Sequence, residues 1–305
     1  FAWFSGTDYV FVGTAKSEYY LRDEAGWLPN TSGWERRMGS VYLPWERYLM
    51  KSPRCQGVFP RDALTTQVLQ QFGIRAYNFG NPMMDGLVPE FPLGKALDTL
   101  HILLLPGSRS PEAERNWQLI LEAVDSIIQH ETQVNLCFLG AIAPSLNLDS
   151  FCEQLQARGW QEKENLNLSV AMPLQDQQGL GFQQGVTPLF LTQNAYHSCL
   201  HACDFAIAMA GTATEQCVGL GKPVIAIPGR GPQYTAAFAE AQTRLLGPSV
   251  ILVQKPAQAA DVCQGLLTDP DHLQMIANNG KHRMGKPGAA SRIAQYIHNL
   301  SSSRE

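Results

Sequence analysis

The sequence predicts an α/β protein built on a parallel sheet. From residue 99 onward, short and almost uninterrupted apolar runs alternate with amphipathic stretches. An apolar run of strand length with no in–out alternation marks a strand covered on both faces, and the helices between such strands supply the cover. Two of the strand-to-helix turns, L-P-G-S-R-S-P-E at 105–112 and A-G-T-A-T-E-Q at 210–216, carry glycines and hydroxyls at the carboxyl ends of strands. That is the rim on which such folds bind ligands.

The bulk properties agree. A chain of 305 residues can form two α/β domains of ordinary size. With 45% hydrophobic and 16% charged residues it reads as folded rather than disordered. A net charge of −4 argues against a nucleic-acid partner, which selects a basic face. No apolar run approaches the roughly 18 residues of a membrane span. The seven cysteines, at 55, 137, 152, 199, 203, 217 and 263, are odd in number and form no C-x-x-C, the pattern of reduced thiols in a cytoplasmic protein. The chain opens on Phe1, with a strand-like run at Tyr9 to Val12 and no signal-peptide pattern. The expectation is that the natural protein starts earlier and that the N-terminal domain is incomplete here.

Residues 1–88 have their own character. Four of the six tryptophans (Trp3, Trp27, Trp34, Trp45) fall in the first 45 positions. Residues 32–61 hold six basic residues against two acidic ones, a net of +4, interleaved with Trp34, Tyr42, Trp45 and Tyr48. This stretch reads either as an edge for a membrane surface or lipid acceptor, or as a packed loop with an ordinary solvated face. A strand CQGVF follows, then a helix from Asp62 that stops at Gly73. Residues 89–98, within VPEFPLGKALD, read as a linker.

The region 99–287 forms the second domain. HILLLPG is its first strand, and Ser110-Pro111-Glu112 is expected to open a helix with cap, proline and acid in order. Trp117, Ile120, Leu121, Val124, Ile127 and Ile128 recur at helical spacing and should bury one face. VNLCFLG is a strand and FCEQLQARG a helix; 161–186 reads as a long polar loop. TPLFLTQ, FAIAMAG, PVIAIPG and SVILVQ are further strands, with NAYHSCLHACD a helix among them. A last helix is expected near 288–300, within a C-terminal segment 288–305.

Chemistry concentrates at the two turns. In the first, Gly107 permits close backbone approach, Ser108 offers a hydroxyl, and Arg109 can clamp a diphosphate and stabilise a departing nucleotide. The alternative is an ordinary βα turn with a surface arginine. In the second, Gly211, Thr212, Ala213 and Thr214 precede Glu215 and Gln216, either of which suits the paired hydroxyls of a ribose. The alternative is a capping box, Thr212 with the acid at 215. Gln233, in the loop of PVIAIPGRGPQYT, is placed for sugar hydroxyls. No G-x-G-x-x-G, P-loop or G-x-S-x-G is present. His197, Cys199, His201 and Cys203 point in two directions on a helix, which favours a structural helix over a zinc site, so no metal is expected.

The blocks LLLPGSRSPEAERNW, AGTATEQCVGLGKPVIAIPGRGPQYT, VFPRDAL, FGNPMMDGL and RMGKPGAASRIAQYI resemble the lipid-A-disaccharide synthase-related proteins over nearly the whole chain. The resemblance implies GT-B architecture, two Rossmann-like domains facing across a cleft, and a glycosyltransferase acting near the inner face of a membrane. The donor would be a UDP-sugar, bound as substrate without cofactor or metal by Gly107 to Arg109, Gly211 to Gln216 and Gln233. The acceptor would be a lipid-linked or other sugar, and peripheral membrane contact is implied with it. Arg109 would steady the leaving group, the general base would lie in the preceding segment, and Asn81 and Asp85 would line the interdomain cleft. An epimerase of the same fold, or a non-catalytic nucleotide-sugar binder, are the alternatives. Two positions depart from the family pattern: Asn81 stands where the synthase has histidine, and Gln216 where it has an acid, with Glu215 one residue earlier.

Overall fold

The computed structural model describes residues 2–89, 98–130, 134–163, 176 and 178–302. Most of the expected linker therefore lies outside the described residues. The chain forms two compact units, Phe1–Gly86 with Arg244–Leu246 and Lys281–Glu305, and Leu87–Thr243 with Gly247–Gly280.

The first unit begins with β1 (Tyr9–Gly13), the small hairpin β2 (Arg22–Asp23) and β3 (Gly26–Trp27), and the short helices α1 (Gly33–Met38) and α2 (Pro44–Met50). β4 (Cys55–Pro60) pairs in parallel with β1 and leads into α3 (Ala63–Gln71). Asp62 caps α3 by accepting the Thr65 N–H, as the sequence indicates. Tyr42, Met50, Val58, Leu69 and Ile74 form the core of this unit.

The basic-aromatic stretch splits into two populations. Arg47 is buried, lies over the Phe72 ring and donates to the Met38 carbonyl. Arg61 is also buried and donates to the Thr14 carbonyl. Trp34, Trp45 and Tyr48 instead stand 66%, 62% and 67% exposed. Trp45, Tyr48 and Leu49 share one face of α2 at i, i+3 and i+4, so α2 turns its apolar face outward and Arg47 and Met50 inward.

In the second unit, β5 (Thr99–Leu105) is followed by α4 (Glu112–His130), β6 (Asn135–Ala141) and α5 (Leu148–Ala157). Next come β7 (Gln161–Glu162), β8 (Leu180–Gln184), β9 (Thr187–Thr192) and α6 (Tyr196–Ala202). β10 (Phe205–Ala208), α7 (Thr212–Gly219), β11 (Val224–Ala226), α8 (Ala236–Leu246), β12 (Val250–Leu252), α9 (Ala259–Thr268) and α10 (Pro270–Met284) continue the alternation, the last residues of α8 from Arg244 and of α10 from Lys281 being counted with the first unit. The final helix, α11 (Ala289–Ser302), belongs to the first unit, where Tyr296 packs on Phe59, Tyr77 and Phe79.

The eight strands are ordered β12-β11-β10-β5-β6-β9-β8-β7. From β12 to β9 neighbouring strands pair in parallel; β8 alone runs the other way, antiparallel to both β9 and the edge strand β7. This corrects the two ends of the expected loop at 161–186; its residues 164–175 and 177 lie outside the described residues. A two-residue turn, Gly185-Val186, sends β8 back against β9, with Gly185 at φ +59°. β8 carries little apolar pattern, since of Leu180–Gln184 only Phe182 is fully buried. A second correction concerns α4, which begins at Glu112 and leaves Pro111 outside. Its predicted apolar stripe is buried as read, from Trp117 to Ile127. No described helix is long and apolar enough to cross a membrane.

Candidate functional site

The site follows from the strand order. From β5 the chain moves outward through β6 to β9, then returns to the other side of β5 to lay down β10, β11 and β12. The sheet order therefore reverses between β5 and β10, and at such a point the loops diverge and open a crevice. The two strands pair with Leu105 opposite Ala208, so both glycine-bearing turns leave the same rim side by side. A cavity of about 640 Å³ opens there.

Gly107, Ser108 and Arg109 form one wall of that cavity, and Gly211, Thr212, Ala213 and Gln216 another, with Gln233 at a third side. Gly107 needs its freedom: it sits at φ +102°, and a Cβ there would lie 3.3 Å from the Met209 carbonyl oxygen. Arg109 is exposed, and its side chain has no hydrogen bond or ion pair among the described residues.

The second turn decides between the readings left open by the sequence. The N-cap of α7 is Gly211, and no side-chain cap bond forms, so Thr212 is the first helical residue and stands exposed at the cavity. The capping-box alternative is thereby set aside. At about 100° per residue, positions 212, 213 and 216 share one face of α7 and positions 214 and 215 turn away from it. Thr214 is fully buried and donates to the Ala210 carbonyl at 2.7 Å, and Glu215 is buried outside the cavity lining. Of the two ribose candidates, Gln216 reaches the cavity. Its Oε1 accepts the Tyr196 hydroxyl at 2.8 Å, and burial pushes the Tyr196 pKa up, keeping that hydroxyl protonated.

Several residues that shape the site were not singled out in the sequence. Asn116, buried on α4, donates through Nδ2 to the Pro106 carbonyl at 2.9 Å and to the Met209 carbonyl at 3.4 Å, tying the two turns together. Gln242 donates from α8 to the Ala210 and Gly211 carbonyls at 3.1 and 3.3 Å. Glu112 accepts the Tyr234 N–H at 2.6 Å. The available signal was a polar residue in an apolar stripe, as with Asn116 between Ala113 and Trp117.

Asn81 and Asp85 sit elsewhere, in the first unit. Asn81 is fully buried, and its Oδ1 accepts the Met83 N–H. Asp85 caps α11, its carboxylate accepting the amides of Gly288, Ala289 and Ala290 at 2.5 to 3.1 Å. Cys199 and Cys203 are buried in and beside α6. Among the described residues no group of three or more His, Cys, Asp or Glu is arranged to hold a metal.

No family model matches the chain. The lipid-A-disaccharide synthase of Thiobacillus denitrificans is 27% identical over 252 residues, covering 75% of this chain and 60% of that protein. The chain thus spans about three-fifths of that relative's length. Among solved structures, a UDP-N-acetylglucosamine 2-epimerase assigned in Listeria monocytogenes superposes with a TM-score of 0.57 at 16% identity, covering 99% of this chain and 70% of that one. The S. aureus MnaA–UDP structure gives 0.52 at 14% identity, with 99% and 70% covered. The UDP-GlcNAc 2-epimerase of Neisseria meningitidis, bound to UDP-GlcNAc, gives 0.50 at 15% identity, with 98% and 71% covered. At these identities the structural likeness speaks for the fold alone. The chain is an α/β protein of the GT-B fold class, similar in sequence to lipid-A-disaccharide synthase.

Proposed function

We propose that this chain is part of a glycosyltransferase that moves a sugar from a UDP-sugar, of the UDP-N-acetylglucosamine kind, to a hydroxyl of a lipid-linked or sugar acceptor. The cavity at the sheet's reversal point takes the donor. One observation carries the reading: two glycine-bearing turns on adjacent strands open onto a single cavity, and Arg109 in the first of them makes no side-chain hydrogen bond or ion pair among the described residues. The start of α7 and the Arg109 guanidinium both favour an anion.

In the transfer, the acceptor oxygen bonds to the anomeric carbon as the bond from that carbon to the β-phosphate oxygen breaks. The electron pair leaves with UDP, where Arg109 and the α7 amides stabilise the added charge. The acceptor proton goes to a base. Glu112 is the only carboxylate in the cavity lining among the described residues, and it already accepts backbone amides, which supports a base lying outside this cavity.

Calorimetric titration of the full chain tests the reading. UDP and UDP-N-acetylglucosamine should bind saturably, and Arg109→Ala should weaken UDP by about tenfold or more, the loss of one charge-assisted contact. Failure of the wild-type chain to bind either ligand overturns it. Turnover of the UDP-sugar without any acceptor would assign an epimerase instead, and binding without turnover a nucleotide-sugar-binding protein. Peripheral membrane contact belongs to the same proposal. It is supported by exposed Trp34, Trp45 and Tyr48 beside exposed Arg37 and Lys51.

A further inference from the structure

We infer that Glu112 is a positioning residue: its carboxylate latches the loop 229–235 against the first turn of α4 and so fixes the side of the cavity that meets the sugar. The inference rests on the proposed donor site. Four observations converge on it. Glu112 is 7% exposed and sits in the cavity wall, one turn from Arg109. Its Oε1 accepts the Tyr234 N–H at 2.6 Å, and Oε2 is 3.3 Å from the Gln233 N. Gly231 packs so closely on this carboxylate that a Cβ would lie 2.1 Å from Oε1 and 2.4 Å from Cγ. The loop itself is closed by a bridge between Arg230 and Thr235, and a Cβ on Gly229 would meet the Tyr234 carbonyl oxygen at 2.1 Å.

The consequence is directional. Gln233, on the latched loop, is exposed, lines the cavity and has no side-chain hydrogen bond among the described residues. Tyr234 beside it is buried and donates its hydroxyl to the Ala208 carbonyl at the end of β10. A carboxylate in the wall of an anion site repels a diphosphate, and the two amides and the α4 N-terminus offset that charge. Glu112 therefore holds the loop at some electrostatic cost to the diphosphate. Losing it should harm the part of the affinity that depends on the sugar and spare, or slightly improve, the part that depends on UDP.

The experiment compares dissociation constants for UDP and for UDP-N-acetylglucosamine in the full chain, with thermal melting as a folding control. Glu112→Ala should weaken UDP-N-acetylglucosamine about tenfold, the scale of one buried hydrogen bond, while UDP changes less than about threefold. Glu112→Gln, whose amide oxygen can still accept the Tyr234 N–H, should restore most of the sugar-dependent affinity. Gly231→Ala should copy Glu112→Ala in the wild-type background and add nothing to it in the double variant, since the steric clash requires the carboxylate. Equal loss of UDP and UDP-N-acetylglucosamine in Glu112→Ala, or no change in their ratio, overturns the latch. Absence of binding by the wild-type chain overturns the donor site instead, so the two failures are distinguishable.

Discussion

Asn116 offers a test of the site's architecture that needs no ligand. Its Nδ2 makes one well-formed bond to the Pro106 carbonyl at 2.9 Å and a longer one to the Met209 carbonyl at 3.4 Å. Asn116→Ala removes both donors and leaves two acceptors in a buried position. A buried unsatisfied group costs about 1–3 kcal/mol. The longer bond contributes less than the shorter, and both carbonyls border the cavity, where water can rehydrate one of them. The expected loss is about 2 kcal/mol. Asn116→Asp keeps the shape but sets an ionised oxygen against two carbonyl oxygens, which should cost about 3 kcal/mol or more at pH 7. That new carboxyl would have a folded-state pKa above its unfolded value. Its deficit relative to wild type should therefore be small below the unfolded carboxylate pKa and widen as pH rises through the folded one. Urea unfolding at pH 4.5 and pH 7 measures both effects, and hydrogen exchange at the β5 and β10 amides reads the same region separately. The reasoning is refuted if both variants stay within about 0.5 kcal/mol of wild type, the scatter of an ordinary surface change.

The remaining predictions concern the first unit. Asp85→Ala removes the acceptor of three amides at the start of α11 and should destabilise by about 1–2 kcal/mol. Exchange at Gly288 to Ala290 should accelerate, and unchanged protection there would contradict the capping role. The outward face of α2 should bring the chain down with vesicles containing anionic lipid at low salt, less so at high salt, and Trp45→Ala with Tyr48→Ala should abolish the effect. Equal sedimentation of wild type and double variant would mean that this face is an ordinary solvated surface.

Much of the fold was legible because its signals are local. Continuous apolar runs such as Ile102 to Leu105, a 3.6-residue stripe from Trp117 to Ile127, and the cap at Asp62 each depend on a few neighbouring residues. β8 was not legible, because a five-residue strand with one buried phenylalanine and two glutamines has almost no apolar pattern to read. The helix after the first turn was placed one residue early for a related reason: serine, proline and acid satisfy the rules for a helix start wherever the hydrogen bonds actually begin.

By itself the sequence determined most of the segments that become strands and helices, and it marked two turns of small and hydroxylated residues as the candidate site. Backbone propensity and hydrophobic periodicity act over a handful of positions, so they are written into the chain directly. Only the tertiary structure decided that these turns, about a hundred residues apart, leave adjacent strands and open onto one cavity. It also decided that Gln216 rather than Glu215 faces that cavity, that Glu112 grips a loop about 120 positions later, and that Asn116 joins the two turns. Those outcomes depend on strand order and helix rotation, which are set by packing among residues remote in sequence.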